Sequence, residues 1–268
     1  MEPIIEKHIQ VKDRKIALTV YQNKGPVIIV VHGFQAHRKM EMVASMAEKV
    51  HKSGCTAVTW DMSGHGDSEG SFSEFTITHA IEELNAVIAD AKANFPGRKI
   101  GIVGNSQGGM VAMLAASKDA TIKAVVLHAP VSDFQDAIQV AGAKMIQAMG
   151  MEGKTTPEAL IQGWKARGAI IYPDSHNNLV PLNYSFYEDG MRHSVMAAAR
   201  RINAPVLLIH GKNDETVPLA QSLALAKTLK LNRKSFRQVP NGLHEFTGSQ
   251  LEEYTEAASA FLQAHLGH

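Results

Sequence analysis

Runs of consecutive β-branched residues alternate with stretches whose apolar residues fall at helical spacing. Pro26-Val27-Ile28-Ile29-Val30-Val31 is the clearest of the runs. Unbroken apolar character of this kind marks a strand buried on both faces of a parallel sheet. Similar runs recur at Thr56 to Trp60, Ile100 to Val103, Ala124 to Leu127 and Val206 to Ile209, with a shorter one at Ser235 to Val239. Between them the period becomes that of an amphipathic helix. Lys39 to Lys52 gathers Met42, Val43, Met46, Ala47 and Val50 on one face, and Thr78 to Asn94 does so with Ile81, Leu84, Val87, Ile88 and Ala91. Gln107 to Ser117, Leu219 to Leu229 and Gln250 to Leu266 complete the set. The N-terminal segment reads differently, as strands Ile4 to Gln10 and Lys15 to Gln22 around the polar Lys12-Asp13-Arg14. That is a hairpin signal, and it places antiparallel strands at one edge. The pattern predicts an α/β fold with a mostly parallel central sheet and helices on both faces.

One stretch breaks the alternation. Residues 131–204 lie between the strands ending near Leu127 and starting at Val206, and carry helical patterns at Phe134 to Met149 and Pro157 to Ala166. A connection this long inside a compact domain is expected to be functional. We read it as an inserted cap or lid over the carboxyl ends of the strands. The predicted organisation is a core of residues 1–130 and 205–268 with a cap of 131–204.

Composition narrows the function classes. The 268 residues carry 27 Lys plus Arg against 26 Asp plus Glu, a net charge of +1. No run of like charges is visible, so nothing points to nucleic acid or to a polybasic membrane surface. The single cysteine, Cys55, excludes an intrachain disulfide framework and is expected to be a buried thiol. No apolar stretch approaches the ~20 residues of a membrane span. Met1 to Lys7 lacks the apolar core of a signal peptide, so a cytoplasmic location is expected. A homo-oligomer is compatible with the sequence, which does not specify one.

The strongest chemical signal is Gly104-Asn105-Ser106-Gln107-Gly108-Gly109, a G-x-S-x-G sequence between the strand Lys99 to Val103 and a helix. A serine on a tight strand-to-helix turn holds a strained backbone and needs small neighbours, which Gly104 and Gly108 supply. Such a turn lifts the hydroxyl above the sheet, beside a helix amino terminus that favours developing negative charge. The hydroxyl becomes a useful nucleophile only when a base takes its proton. His244, in the loop after the strand ending at Val239 and before the last helix, has the position for that base; His265 and His268, in or beyond the last helix, do not. The imidazole needs a carboxylate to fix its tautomer. Asp214, after the strand Val206 to Ile209, leads, with Glu215 and Asp133 as competitors. Acyl transfer also needs oxyanion donors. The backbone N–H of Phe34, in His32-Gly33-Phe34-Gln35, would pair with that of Gln107.

Other polar residues have blander readings. His32 beside Gly33 is expected to pin its loop. Asp61 and His65, in Asp61-Met62-Ser63-Gly64-His65-Gly66-Asp67-Ser68, are expected to stabilise a tight loop, because no further cluster has metal-ligand spacing. His210-Gly211 reads as a turn element, and Glu188-Asp189 as a solvated helix start.

Together the His32-Gly33-Phe34 loop, the Asp61…Gly64-His65-Gly66…Ser68 loop, Gly104-Asn105-Ser106-Gln107-Gly108, the Asp214 loop and the His244 loop resemble, in order, those of the serine α/β-hydrolases. Within that superfamily the chain is most similar to feruloyl (cinnamoyl) esterases and monoacylglycerol-lipase-like esterases. The resemblance covers nearly all of the chain outside the cap. It implies an α/β-hydrolase fold and carboxylester hydrolysis through an acyl-enzyme, without cofactor or metal. It assigns Ser106 as nucleophile, His244 as base, Asp214 as acid, and Phe34 with Gln107 as oxyanion donors. Asn105 departs from the histidine that many relatives carry before the serine, which is expected to tune the site.

The cap residues Met145, Met149, Met151, Trp164, Tyr172, Tyr184, Phe186 and Tyr187 could line an apolar pocket or form the cap's own core. Trp164, Tyr172 and Tyr184 are the pocket candidates. The expected substrate is a small to medium ester with an aromatic or short-chain acyl group. A serine peptidase or amidase, a thioesterase or acyltransferase, and a ligand-binding protein without turnover are the alternatives, since a fold hosts many functions.

Overall fold

Every residue of strand β3 (Val27–Val31) is buried, and its side chains alternate between two cores. Val27, Ile29 and Val31 point to one, Ile28 and Val30 to the other. Each such side chain is worth ~1.5–3 kcal/mol of transfer free energy, which is why the run can only be a central strand. In the computed structural model, which describes residues 3–267, the other strands follow the same logic. They are β1 (Ile4–Val11), β2 (Arg14–Tyr21), β4 (Thr56–Trp60), β5 (Ile100–Asn105), β6 (Ile122–His128), β7 (Ala169–Pro173), β8 (Leu179–Asn183), β9 (Val206–Gly211) and β10 (Phe236–Val239). Met1, Glu2 and His268 lie outside the described residues.

The main sheet has the order β1-β2-β4-β3-β5-β6-β9-β10. From β4 to β10 all neighbours are parallel. The β1–β2 hairpin adds antiparallel to β4 at one edge. Its turn is shorter than the sequence suggests: Val11 pairs with Arg14, and Lys12 takes a φ of 54°.

Helices α1 (Glu41–Lys52) and α9 (Gly248–Leu266) bury Val43, Met46, Val50, Leu251, Tyr254 and Leu262 on one face. On the other, α2 (Ile77–Asn94), α3 (Gln107–Ala116) and α8 (Leu219–Thr228) bury Ile77, Leu84, Met110, Met113 and Leu225. Thr76 caps α2 by accepting from the His79 N–H at 3.1 Å. Cys55 is buried beside Ala57 in the first of these cores.

Residues 131–204 enter after β6 and return at β9. They form α4 (Phe134–Ala148), α5 (Pro157–Arg167), the β7–β8 hairpin, α6 (Ser185–Gly190) and α7 (Val195–Ala199). The two long helices match the sequence expectation. Pro157 opens α5 behind the Thr156 cap, and Gly168 closes it with a left-handed φ of 77°. The antiparallel hairpin is an element that the helical patterns did not include. The Trp164 indole N–H donates to the Leu182 carbonyl at 2.8 Å, fastening α5 to that hairpin. Among the described residues no helix is long and apolar enough to cross a membrane.

Candidate active site

Ser106 sits between β5 and α3 with φ 54° and ψ −120°, a region that costs a non-glycine residue ~1–3 kcal/mol. Its backbone is held on both sides. The N–H donates to the His128 carbonyl at 2.8 Å, and its carbonyl accepts from Gly109 at 2.9 Å and Val131 at 3.1 Å. The turn is crowded: a Cβ on Gly104 would lie 2.6 Å from the Gly108 carbonyl oxygen, and one on Gly108 would lie 2.3 Å from that of His32. Both obstacles are backbone, so no side-chain movement would make room.

The three residues singled out at loop ends meet there. His244 Nδ1 lies 2.7 Å from Asp214 Oδ2, and His244 Nε2 lies 3.0 Å from Ser106 Oγ. The carboxylate accepts, so Nδ1 carries the proton and Nε2 is left to accept from the serine O–H. Of the competing acids, Asp133 is occupied as the cap of α4, accepting from the Asp136 N–H at 3.0 Å, and Glu215 is exposed.

The Asp214 carboxylate is wholly buried. Oδ1 accepts from the Thr216 and Val217 N–H groups at 2.8 and 2.9 Å. Oδ2 takes His244 and also lies 3.2 Å from His210 Nε2. Burial pushes the carboxyl up, but the hydrogen bonds from His210, His244 and the Val217 N–H outweigh it and hold Asp214 far below the ordinary carboxylate range. His210 Nε2 also lies 3.0 Å from the Val217 carbonyl, so it must carry the hydrogen, and Nδ1 accepts from the Ser222 hydroxyl at 2.6 Å. His210 is therefore a second imidazole on the acid, a correction to its reading as a turn element. The spacing His210-Gly211-Lys212-Asn213-Asp214 was the available signal.

His128, the register partner of Asn105 across β5 and β6, was also missed. Its Nδ1 donates to Asn105 Oδ1 at 2.5 Å, so the residue before Ser106 is tied to the next strand. Complete burial keeps His128 neutral, its pKa well below the ordinary value. Its Nε2 is buried and finds no partner among the described residues.

Opposite His244, the Gly33-Phe34 backbone passes against the serine: a Cβ on Gly33 would lie 3.2 Å from Ser106 Cβ. The Gln107 N–H, first in α3, has no intrahelical partner. His32 is buried, with Nδ1 donating to the Gly33 carbonyl at 2.7 Å and Nε2 accepting from the Met62 N–H at 3.0 Å. Asp61 accepts from the Arg38 backbone N–H at 2.6 Å and pairs with the Arg38 guanidinium, while His65 Nδ1 bonds the Ser63 carbonyl at 3.0 Å. These contacts hold loops together.

A cavity of about 1340 Å³ opens above Ser106, Gln107, Phe34 and His244. Its walls come largely from the insert, through Phe134, Met145, Trp164, Ile170, Tyr172 and Phe186. Of the three pocket candidates, Trp164 and Tyr172 line it. Tyr184 does not. Its ring packs on Trp164 and Tyr187 at 5.7 and 5.4 Å, inside the insert's own aromatic core. Asp189 is a further correction: it is buried and accepts from the Thr78 N–H at 2.8 Å and hydroxyl at 2.6 Å, pinning α6 to the start of α2.

A parallel sheet, a strained serine at a strand-to-helix turn and loops at the strand ends together define the α/β-hydrolase fold. Residues 22–250 match the hydrolase family described as serine aminopeptidase, S33, and the chain belongs to that family. It is 23% identical over 208 residues to "Palmitoyl-protein thioesterase ABHD10, mitochondrial" of Rattus norvegicus, covering 76% of this chain and 64% of that protein's length. It is 22% identical over 256 residues to the monoacylglycerol lipase of Mycolicibacterium smegmatis, covering 90% of this chain and 89% of the lipase. Among solved structures, Est1E from Butyrivibrio proteoclasticus with bound ferulic acid superposes with a TM-score of 0.79 at 24% identity, over 98% of this chain and all of that one.

Proposed function

We propose that this hydrolase cleaves carboxylic esters of small to medium size, with an aromatic or short-chain acyl group, through an acyl-enzyme on Ser106. The observation that carries the reading is the continuous hydrogen-bonded series Ser106–His244–Asp214 at the floor of the cavity. Ser106 Oγ attacks the ester carbonyl while His244 Nε2 takes its proton. The imidazolium is stabilised by the buried Asp214 carboxylate, and the Phe34 and Gln107 N–H groups receive the oxyanion. His244 then protonates the leaving alcohol. A water attacks the acyl-enzyme by the same route, releasing the acid and restoring the serine. Residues 131–204 serve as the cap whose aromatic and aliphatic walls hold the acyl or alcohol group.

Thioester cleavage needs the same groups, and the name of the rat relative favours it as the second reading. The family description names an aminopeptidase, which would need a carboxylate to receive the substrate's α-ammonium. Of the described residues lining the cavity only Glu245 is acidic, against Lys144 and Arg167, and neither Glu188 nor Asp189 reaches it. That charge balance supports esters over amino-terminal peptides.

The test is turnover of p-nitrophenyl butyrate, a thioester analogue and an aminoacyl anilide by the wild type and Ser106→Ala. Ester turnover reduced by orders of magnitude in a folded Ser106→Ala protein is the expected result. An unchanged rate would refute the mechanism. Saturable ligand binding without turnover by the wild type would favour the receptor reading.

A further inference from the structure

The segment that carries one oxyanion donor is gripped from two directions. From the core, His65, Phe72 and Phe75 surround the Phe34 ring at centroid distances of 6.1, 5.2 and 6.1 Å. From the insert, Phe186 stacks on the same ring at 5.0 Å with planes 11° apart, and Tyr172 approaches at 5.8 Å. Phe186 is itself almost fully buried and is wedged against Phe134 at 5.4 Å. The next residue is held as well. Gln35 takes a φ of 61°, and its side-chain amide donates to the Pro173 carbonyl in β7 at 2.6 Å. A third tie runs nearby, where the Gly66 N–H donates to the Ser175 hydroxyl at 3.0 Å.

We infer that the insert completes the oxyanion site: Phe186 and Gln35 are positioning residues that fix the Phe34 N–H over Ser106. The inference rests on the proposed ester mechanism and extends it. Loop 33–36 has little internal hydrogen bonding, the Ala36 N–H to Gly33 carbonyl bond at 3.3 Å being a long one. Beyond the His32 bond to the Gly33 carbonyl at 2.7 Å, its conformation is therefore set by what packs on it. The stacked ring anchors the Phe34 side chain and so limits how far its Cα, and the peptide that carries its N–H, can shift. The Gln35-to-Pro173 bond fixes the following peptide. An oxyanion donor acts only when it is already aimed at the place where charge develops, so a small rotation is felt in the transition state and hardly in the bound substrate. The insert thereby influences kcat as well as the shape of the cavity.

The experiment compares Phe186→Leu and Gln35→Asn with the wild type on p-nitrophenyl butyrate, with phenylboronic acid as an inhibitor. Asparagine tolerates positive φ well, so Gln35→Asn leaves the backbone unstrained while its shorter side chain falls short of Pro173. A boronate on Ser106 is tetrahedral and sets an oxygen where the oxyanion would sit. The expected result is a fall in kcat of about tenfold in each variant and boronate inhibition weakened in step with kcat, with KM held within about twofold in Gln35→Asn, whereas Phe186→Leu, which also alters a cavity wall, changes KM as well. Gln35→Asn keeps the inference testable should Phe186→Leu fold poorly. Unchanged kcat and boronate affinity, or a loss of Tm alone, would overturn the inference while an inactive Ser106→Ala left the ester mechanism standing. An active Ser106→Ala would remove that mechanism, and this inference with it.

Discussion

Replacing Asp214 by asparagine changes one oxygen for an amino group and almost nothing in volume, yet the surroundings dictate which way the amide must lie. Oδ1 receives the Thr216 and Val217 N–H groups at 2.8 and 2.9 Å. Turning the new NH2 towards them would set donors face to face, and each buried donor left without an acceptor costs ~1–3 kcal/mol. The amide oxygen therefore stays with the backbone, and the NH2 faces His244 Nδ1, which in the wild type donates at 2.7 Å. His244 must then accept at Nδ1 and carry its proton on Nε2, the nitrogen 3.0 Å from Ser106 Oγ. Serine meets an N–H where it needs a lone pair. A wrong tautomer of this kind costs ~10⁴ in kcat in the serine-protease template. At ~1.36 kcal/mol per tenfold this is about 5 kcal/mol of transition-state stabilisation. Initial rates on p-nitrophenyl butyrate across the neutral and alkaline range measure it, with thermal unfolding as the control for folding. An Asp214→Asn enzyme that stays folded and keeps its rate within about tenfold of wild type would refute the argument.

Two further outcomes follow from the buried histidines. His210 donates to the same Asp214 oxygen as His244, so His210→Ala, which removes that donor to the carboxylate, should lower kcat on p-nitrophenyl butyrate by about tenfold in a protein that stays folded, and an unchanged kcat would contradict this. Burial lowers the pKa of His32 to about 4 and that of His65 to about 3, whereas the unfolded chain protonates its histidines near ~6.5. Stability is therefore intact above about pH 6.5 and falls as the pH drops towards 4, by about 3 kcal/mol for His32 alone; urea unfolding at neutral and at mildly acidic pH checks this, and equal stability at both would count against it.

The parallel strands were legible because each is buried on both faces and so spells an unbroken apolar run. The β7–β8 hairpin was not: all its residues but Leu182 are half-buried or exposed, and Pro173 and Pro181 interrupt it. Proline is tolerated there because a two-stranded ribbon leaves edges on both sides. Ser106, Asp214 and His244 stood out by their places at strand ends, as did the Phe34 and Gln107 positions. His128 and His210 did not, since each still belongs to its strand and its significance lies in a contact across strands or loops. Asp189 was misjudged for a related reason. Beside Glu188 it looks solvated, and only the fold brings Thr78 to it. Tyr184 carried the right chemistry for a pocket but the wrong direction, because the ring faces Trp164.

The two halves of the site are built by different parts of the chain, and the difference bears on how its activity can vary. The acid half is closed within the core. Asp214 is ringed by donors from its own loop, from β9 and from the His244 loop, so its charge and position do not depend on the insert. The hydrogen bonds offset the cost of burying the carboxylate, and the only proton that must move passes between His244 and its partners. The proposed oxyanion half is shared. The Gly33-Phe34 backbone lies against Ser106, but the Phe34 ring stacks on Phe186 and the Gln35 amide reaches Pro173, both contributed by residues 131–204. In the proposed mechanism, substitutions at Asp214 or His210, which do not line the cavity, act on the base and leave the walls in place. Substitutions in the insert alter the walls that hold the substrate and, through Phe34, the stabilisation of the tetrahedral intermediate. Specificity and rate are therefore not separable under the proposed mechanism: a change at Phe186 or Tyr172 made to admit a different ester would also move the ring that packs on Phe34, the proposed oxyanion donor.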